Sequence, residues 1–158
     1  LDVDYTAATH AWIAGQKSSP FEMGLGWTVN LDKPGYFVGR RALEREAREG
    51  SAWKLVGLEI GWEGLERLYA EAGLPPQIPA MAVRGSLPVL HDGKQVGYAS
   101  TSTWSPVLKK YIALVHLQRP FYEPGTRVSL EITVEHHRRH APGTVVALPF
   151  YEPEWKKK

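Results

Sequence analysis

Cysteine is absent from the 158 residues. This excludes disulfide bridges, thiolate metal sites and a cysteine nucleophile. The chain also lacks any run of about 18 apolar residues, the length that a membrane-spanning helix needs. Its first ten residues, LDVDYTAATH, do not have the composition of a signal peptide. Together these absences favour a soluble, cytoplasmic protein with no membrane partner.

A strong charge of either sign is missing as well. The 19 Lys and Arg residues are interleaved with 17 Asp and Glu residues, which gives a formal net charge of only +2. We therefore expect no nucleic-acid partner, because such proteins usually mass their basic residues on one surface. The one basic run, Lys156–Lys158, is interpreted as a solvated tail. Because 43% of the residues are hydrophobic, the chain can still bury a sizeable core.

The usual signatures of catalysis are also missing. The sequence contains neither a glycine-rich phosphate loop nor a GxSxG nucleophile turn. The cluster His136–His140 includes two arginines that disfavour a bound dication, so we favour a solvated hairpin end over a metal site. His10, His91 and His116 are isolated, and the hydroxyl-rich segment 100–106 is interpreted as a turn ahead of its proline. The sequence predicts no catalytic residue and no metal ligand.

The first third of the chain mixes short elements. Residues 1–5 read as extended, and Gly26–Leu31 alternates as a strand should. Gly39–Glu49 is rich in strong helix formers and is followed by Gly50, which is typical of a helix end. A second helix is expected at Glu63–Ala72.

From Trp53 onward the chain reads as short strands separated by turns, and the segment His91–Lys94 has the pattern of a tight hairpin. The predicted strands are Lys54–Ile60, Pro88–Leu90, Gln95–Ser100, Tyr111–Leu117, Arg127–Val134 and Thr144–Phe150. Many strands with few helices predict a mainly β fold with a few helices, either a small antiparallel barrel or a sandwich. A domain boundary is expected near residues 50–53.

One local cluster, Pro20–Trp27, combines a carboxylate near a helix start with two glycines that permit close backbone approach. Glu22 is interpreted first as a capping carboxylate in a tight turn, and second as a residue that faces a ligand. Six tryptophans are present, and one or two of them could line a slot for a flat ring.

The order of several motifs resembles the glycine-cleavage T-protein, or aminomethyltransferase, family. The segments that carry the resemblance are SPFEMGLGW at 19–27, FVGRRAL at 37–43, LVGL at 55–58, VG at 96–97, SPVL at 105–108, IAL at 112–114, PGT at 124–126 and LPFY at 148–151. The resemblance implies that residues 1–50 end a folate-binding domain, that 52–152 form a C-terminal antiparallel β-barrel, and that 153–158 are a basic tail.

The resemblance also implies a function. Family enzymes transfer a one-carbon unit to tetrahydrofolate, in the glycine-cleavage case from an aminomethyl group on a lipoyl carrier protein. Their catalytic Asp belongs to an N-terminal region that precedes Leu1, so we expect this fragment alone to be inactive and the missing N-terminal region to be its partner. Glu22 and Trp27 are the candidates for lining the folate cleft.

Two departures leave the donor open. Ser102 stands where the family pattern has glycine, and residues 61–80 read as an insertion. A related folate-dependent demethylase that acts on another donor is therefore an alternative. The rival from a different class is a non-catalytic β-barrel module for protein interaction.

Overall fold

The computed structural model describes residues 17–79 and 81–157. The chain divides into two compact units, Leu1–Lys54 and Leu55–Lys158. The predicted extended start at residues 1–5 lies outside the described residues, as does His10.

The described part of the first unit contains a turn, a short 3-10 helix and one α-helix. Helix α1 spans Arg40–Glu49, so the predicted helix is confirmed apart from Gly39, which precedes it with φ +89°. Gly50 follows the helix with φ +78°. Both glycines occupy left-handed backbone that side chains disfavour, which explains why the helix begins and ends where it does.

The strand predicted at Gly26–Leu31 is wrong. Gly26–Thr28 form a 3-10 helix, and the backbone N–H of Val29 donates to the Gly26 carbonyl. The Thr28 hydroxyl also donates to the Leu25 carbonyl, at 2.7 Å. These local hydrogen bonds give the backbone an alternative to a sheet ladder, and they outweigh the strand preference of Trp, Thr and Val.

Six antiparallel strands close into a barrel in the order β1-β4-β3-β2-β5-β6. Their bounds are Trp53–Ile60 (β1), Val83–His91 (β2), Lys94–Ser105 (β3), Lys110–Gln118 (β4), Arg127–Val134 (β5) and His137–Val146 (β6). The mainly β fold with an antiparallel barrel is confirmed, and the sandwich alternative is not. Among the described residues, no helix has the length and apolar character to cross a bilayer.

Two tight turns set the strand registers. Asp92 and Gly93 have φ of +48° and +75° between β2 and β3, which confirms the predicted hairpin. Glu135 and His136 adopt the same left-handed backbone, so β6 already begins at His137. The last strand was predicted at Thr144–Phe150 and is instead completed by Val146.

Helix α2, Trp62–Ala70, packs on β6. Gly64 lies directly against the Pro142 ring, where a Cβ would collide. Leu65 is 4% exposed and joins the barrel core, with Tyr69 and Ile78 packed against that core. The segment 61–80, interpreted from sequence as an insertion, therefore contributes side chains to the core of the barrel.

The core lies inside the barrel and comes from alternating strand positions, as the period of two requires. Its fully buried large side chains are Leu58, Leu117, Leu130, Val89, Val115 and Val145. The ladder between β3 and β4 shifts register between Ala99 and Thr101, which accommodates one extra residue, Ser100.

Candidate functional site

The turn that carries Glu22, one of the two predicted folate residues, is built around a reciprocal cap. The Ser19 N–H donates to Glu22 Oε2 at 3.0 Å, and the Glu22 N–H donates to Ser19 Oγ at 3.1 Å. This is the capping-box arrangement, in which serine and a glutamate three residues later satisfy each other's backbone. The half-buried Glu22 carboxylate is therefore a capping group, as the first interpretation expected.

A second glutamate ties this turn to α1. The Ser19 hydroxyl donates to Glu46 Oε1 at 2.6 Å, and the Ser51 hydroxyl donates to the same oxygen at 2.6 Å. Sequence reasoning missed Glu46, because it reads as one of several ordinary charges on α1. Only the fold brings it to Ser19, so no local spacing could have revealed the contact.

Trp27 follows the cap and is open to solvent. Its side chain is 83% exposed. The Phe21 ring lies beneath Gly26, where a Cβ would come within 2.8 Å of the ring. Because only glycine fits this approach, the position before Trp27 has a structural reason to be glycine. The structure thus places Glu22 in a turn and Trp27 in the 3-10 helix that follows it, and their role in ligand binding stays a prediction.

Arg40, at the start of α1, holds the preceding loop. Its guanidinium donates to the carbonyls of Leu31 at 2.9 Å, Lys33 at 2.9 Å and Gly35 at 2.7 Å. It also pairs with Glu44 at 2.7 Å. The planar fork of arginine satisfies several acceptors at once, so the FVGRRAL motif has a structural explanation in this loop.

In the second unit, a cavity of about 230 Å³ lies between α2, the loop after it and the barrel wall. Tyr69 and Tyr111 face it, and the Tyr69 hydroxyl donates to the Gln77 carbonyl at 3.2 Å. Burial raises the pKa of Tyr69 above its usual value of 10, and the neighbouring Tyr111 adds to the effect. The Tyr69 phenol therefore stays neutral at physiological pH and acts as a hydrogen-bonding group.

Ser102, one of the two predicted departures from the family pattern, is 1% exposed on β3. Its hydroxyl lies 3.0 Å from the Tyr111 hydroxyl. Its backbone is ordinary strand opposite Ala113, so the site does not use the freedom that glycine would give. The turn predicted within the hydroxyl-rich segment begins only after Ser105, whose Oγ accepts from the Leu108 N–H at 3.3 Å.

The histidines are dispersed. His116 is 9% exposed and its Nδ1 lies 3.1 Å from the Tyr98 hydroxyl. His91 Nδ1 lies 2.8 Å from the Arg127 carbonyl. His137 and His140 are exposed on β6, and His136 is in the turn before it. Within residues 17–79 and 81–157, no three His, Asp or Glu side chains are grouped so as to hold a metal.

A second cavity, of about 440 Å³, opens where the end of β1 and the first turn of α2 meet the beginnings of β4 and β5. Trp62 lies at its edge. Its ring meets that of Trp104 edge-on, with 5.3 Å between the ring centroids. We call this cavity the β1–α2 cleft. Nothing in the sequence analysis anticipated it, since its residues are distant along the chain.

Comparison with known proteins agrees with this architecture. The family described as the glycine cleavage T-protein C-terminal barrel domain matches residues 71–152. The chain is 38% identical over 135 residues to an aminomethyltransferase of Synechococcus sp. (strain CC9902), covering 85% of the chain and 31% of that protein. It is 37% identical over 134 residues to an aminomethyltransferase of Prochlorococcus marinus (strain MIT 9313), covering 85% of the chain and 30% of that protein. The chain thus spans about a third of the length of these relatives.

The fold has a counterpart among solved structures. The crystal structure of glycine cleavage system aminomethyltransferase T from Bartonella henselae superposes with a TM-score of 0.62. The match covers 86% of this chain and 33% of that one, at 18% sequence identity, so it supports the fold alone. From the barrel, the matched family and the relatives together, we conclude that the chain belongs to the glycine-cleavage T-protein family and contains its C-terminal barrel domain.

Proposed function

We propose that this chain is the C-terminal part of a tetrahydrofolate-dependent aminomethyl- or methyltransferase, which moves a one-carbon unit to the folate. Membership of the family and the aminomethyltransferase relatives support the reaction class. The single observation that carries the proposal is structural. The described part of the first unit has a well-defined turn and helix, yet it has no core of its own.

No residue between 17 and 54 is fully buried. In α1 even the apolar side chain of Leu43 is only partly buried. Large apolar side chains are instead exposed in this stretch: Leu25 at 45%, Trp27 at 83%, Tyr36 at 74% and Val38 at 94%. A stretch that buries as little as residues 17–54 cannot by itself offset the entropy of ordering its chain. We therefore propose that these residues complete a folate-binding domain whose remaining, N-terminal region covers them.

The residues of the turn fit a folate ring. An exposed indole can stack on a flat pterin, as aromatic side chains do on nucleic-acid bases. One oxygen of Glu22 is held by the Ser19 N–H, and no hydrogen bond within the described residues engages the other. That oxygen is an acceptor suited to a ring N–H, so Trp27 and Glu22 would together orient the pterin.

Tetrahydrofolate, when bound, supplies the N5 nitrogen that accepts the one-carbon unit. The acid that assists the leaving group would come from the N-terminal region of the family. The donor would be an aminomethyl group on a lipoyl carrier protein. If the protein is instead a demethylase, the alternative function, the donor would be a small methylated substrate and no carrier protein would be needed.

The test measures tetrahydrofolate binding by calorimetry on a protein in which the family's N-terminal region precedes Leu1. Trp27→Leu is expected to weaken binding about tenfold, the effect of losing one stacking contact. Trp155→Leu is the matched control, because Trp155 is also exposed, at 70%, but lies in the second unit.

If Trp27→Leu and Glu22→Gln both bind as tightly as the parent protein, the two residues do not line the cleft. If the parent protein itself fails to bind tetrahydrofolate, the transferase proposal is wrong and the non-catalytic interaction module takes its place. Folate binding without one-carbon transfer from an aminomethylated lipoyl protein would favour the demethylase.

A further inference from the structure

We propose that the β1–α2 cleft is a binding site for a small organic carboxylate with a flat apolar body. The site belongs wholly to the second unit and does not depend on the folate proposal. Its volume of about 440 Å³ lies within the range of ordinary small-molecule sites.

The charge of the cleft is unbalanced. Three cationic side chains line it, Lys109, Lys110 and Arg127, against the single carboxylate of Glu59. Glu59 already forms an ion pair with Lys110, with 2.5 Å between its Oε2 and the lysine Nζ. Within the described parts of the chain, no acidic side chain pairs with Lys109 or Arg127. The cleft therefore offers two uncompensated positive charges to one ligand.

The backbone positions these cations from separate elements. Lys109 precedes β4 and adopts φ +52°, which is uncommon for a residue with a side chain. Arg127 is the first residue of β5, opposite Thr144 of β6. Because Lys109 precedes β4 and Arg127 begins β5, these two positive charges come together only in the folded barrel.

The rest of the lining is mainly apolar. The buried residues Ile60 and Val128 line the cleft, and so does Pro142 of β6, whose ring lies against Gly64 of α2. Trp62 forms the wall and is 39% exposed. Its edge-on contact with Trp104 restrains the ring, so the wall is preformed. In the proposed complex the flat body packs against Trp62 and the carboxylate pairs with Arg127, which lines the same cleft and whose fork matches a carboxylate in two hydrogen bonds.

A combination of apolar wall and paired cations favours an amphipathic anion over inorganic phosphate, which gains nothing from Trp62 and Ile60. An acidic peptide is the competing occupant. It would use the charges but would not need an enclosed apolar wall.

The test uses 2-naphthoate as the probe, with 2-naphthalenemethanol as its neutral counterpart and inorganic phosphate as the bare anion. Binding is followed on the whole chain by calorimetry and by the chemical shifts of the Trp62 indole N–H. We expect saturable binding of naphthoate, at least about tenfold weaker binding of the alcohol, and no competition by phosphate at equal concentration.

Two variants should move the affinity in opposite directions. Arg127→Gln should weaken naphthoate binding about tenfold, whereas Glu59→Gln should tighten it severalfold by removing the one negative charge. Lys94→Gln is the control, since Lys94 lies on β3 outside the cleft. All three positions are on the barrel surface, and thermal unfolding checks that each variant is folded.

The proposal is overturned if naphthoate fails to saturate, or if the alcohol binds equally well. It is also overturned if phosphate competes fully, which would indicate a bare anion site. Unchanged affinity in Arg127→Gln, or weaker affinity in Glu59→Gln, has the same consequence. An acidic peptide that binds more tightly than naphthoate and displaces it would assign the cleft to a protein partner instead.

Discussion

Ser19 and Glu46 are joined by a 2.6 Å hydrogen bond from the serine hydroxyl to the glutamate carboxylate. The serine belongs to the turn that carries Glu22, and the glutamate belongs to α1. Because the same carboxylate oxygen also accepts from Ser51, one side chain links the turn, the helix and the segment after the helix. The position of the predicted folate turn therefore depends on a residue of α1.

Glu46→Ala should loosen this turn. Two hydroxyl donors would lose a charged acceptor, and a hydrogen bond to a charged group contributes about 1.5–3 kcal/mol. Hydrogen exchange followed by mass spectrometry should show the amides of residues 19 and 21–25 exchanging at least about tenfold faster. Arg45→Ala, an exposed change on the same helix, is the control. Equal exchange in the two variants would show that Glu46 does not hold the turn.

Arg40→Lys should open the loop at residues 31–35 while keeping the charge. An ammonium group cannot reproduce the planar fork that reaches the three carbonyls. Chymotrypsin should then cut faster after Tyr36, which is 74% exposed. Arg41→Lys, the same substitution at the exposed neighbouring residue, is the control. If Arg41→Lys speeds cleavage as much as Arg40→Lys, the hydrogen bonds from Arg40 to the three carbonyls do not hold the loop.

Gly97→Ala should destabilise the barrel. A Cβ at this position would collide with the His116 carbonyl on β4 and with the Leu117 side chain. Overpacking of this kind costs roughly 1–3 kcal/mol, measured as a lower urea midpoint. At Gly85, on exposed β2 backbone, a Cβ meets nothing within 4 Å, so Gly85→Ala should stay within about 0.5 kcal/mol of the parent chain. A larger loss at Gly85 than at Gly97 would contradict the packing argument.

Ser102 and Tyr111 should be energetically coupled. Each single change, Ser102→Ala or Tyr111→Phe, leaves a buried hydroxyl without its partner and should cost about 1–3 kcal/mol. The double variant should cost less than the two single changes together, with a coupling of at least about 0.5 kcal/mol in urea unfolding. Ser102→Gly should be destabilising for the same reason. Strict additivity would mean that the hydroxyls do not stabilise each other.

Local chemistry predicted a good part of this fold. Gly39 and Gly50 mark α1 because no other residue accepts their backbone angles easily, and Asp92-Gly93 marks its hairpin for the same reason. A hairpin end was predicted at His136–His140, but its turn is Glu135-His136 and the residues from His137 onward already belong to β6. The segment Gly26–Leu31 has the alternation of apolar and polar residues that is typical of a strand. Its backbone forms local hydrogen bonds instead, in a 3-10 helix.

The candidate site was predictable only in part. The Ser19–Glu22 cap depends on a spacing of three residues, and this spacing is visible in sequence. Glu46, the Ser102–Tyr111 pair and the β1–α2 cleft depend on contacts between distant segments, so a reading along the chain could not bring them together.

The order of strands in the barrel has a consequence for how the chain folds. β1 is flanked by β4 and β6, so the first strand of the barrel pairs with nothing near it in sequence. During synthesis β1 must wait until the last strand has left the ribosome before Gly57 can meet Val146. Such distant pairing is slow, because a long loop must close before any contact offsets its entropy. The β2–β3 and β5–β6 hairpins, whose strands are neighbours in sequence, can form first. β1 then pairs with β4 and β6 and closes the barrel.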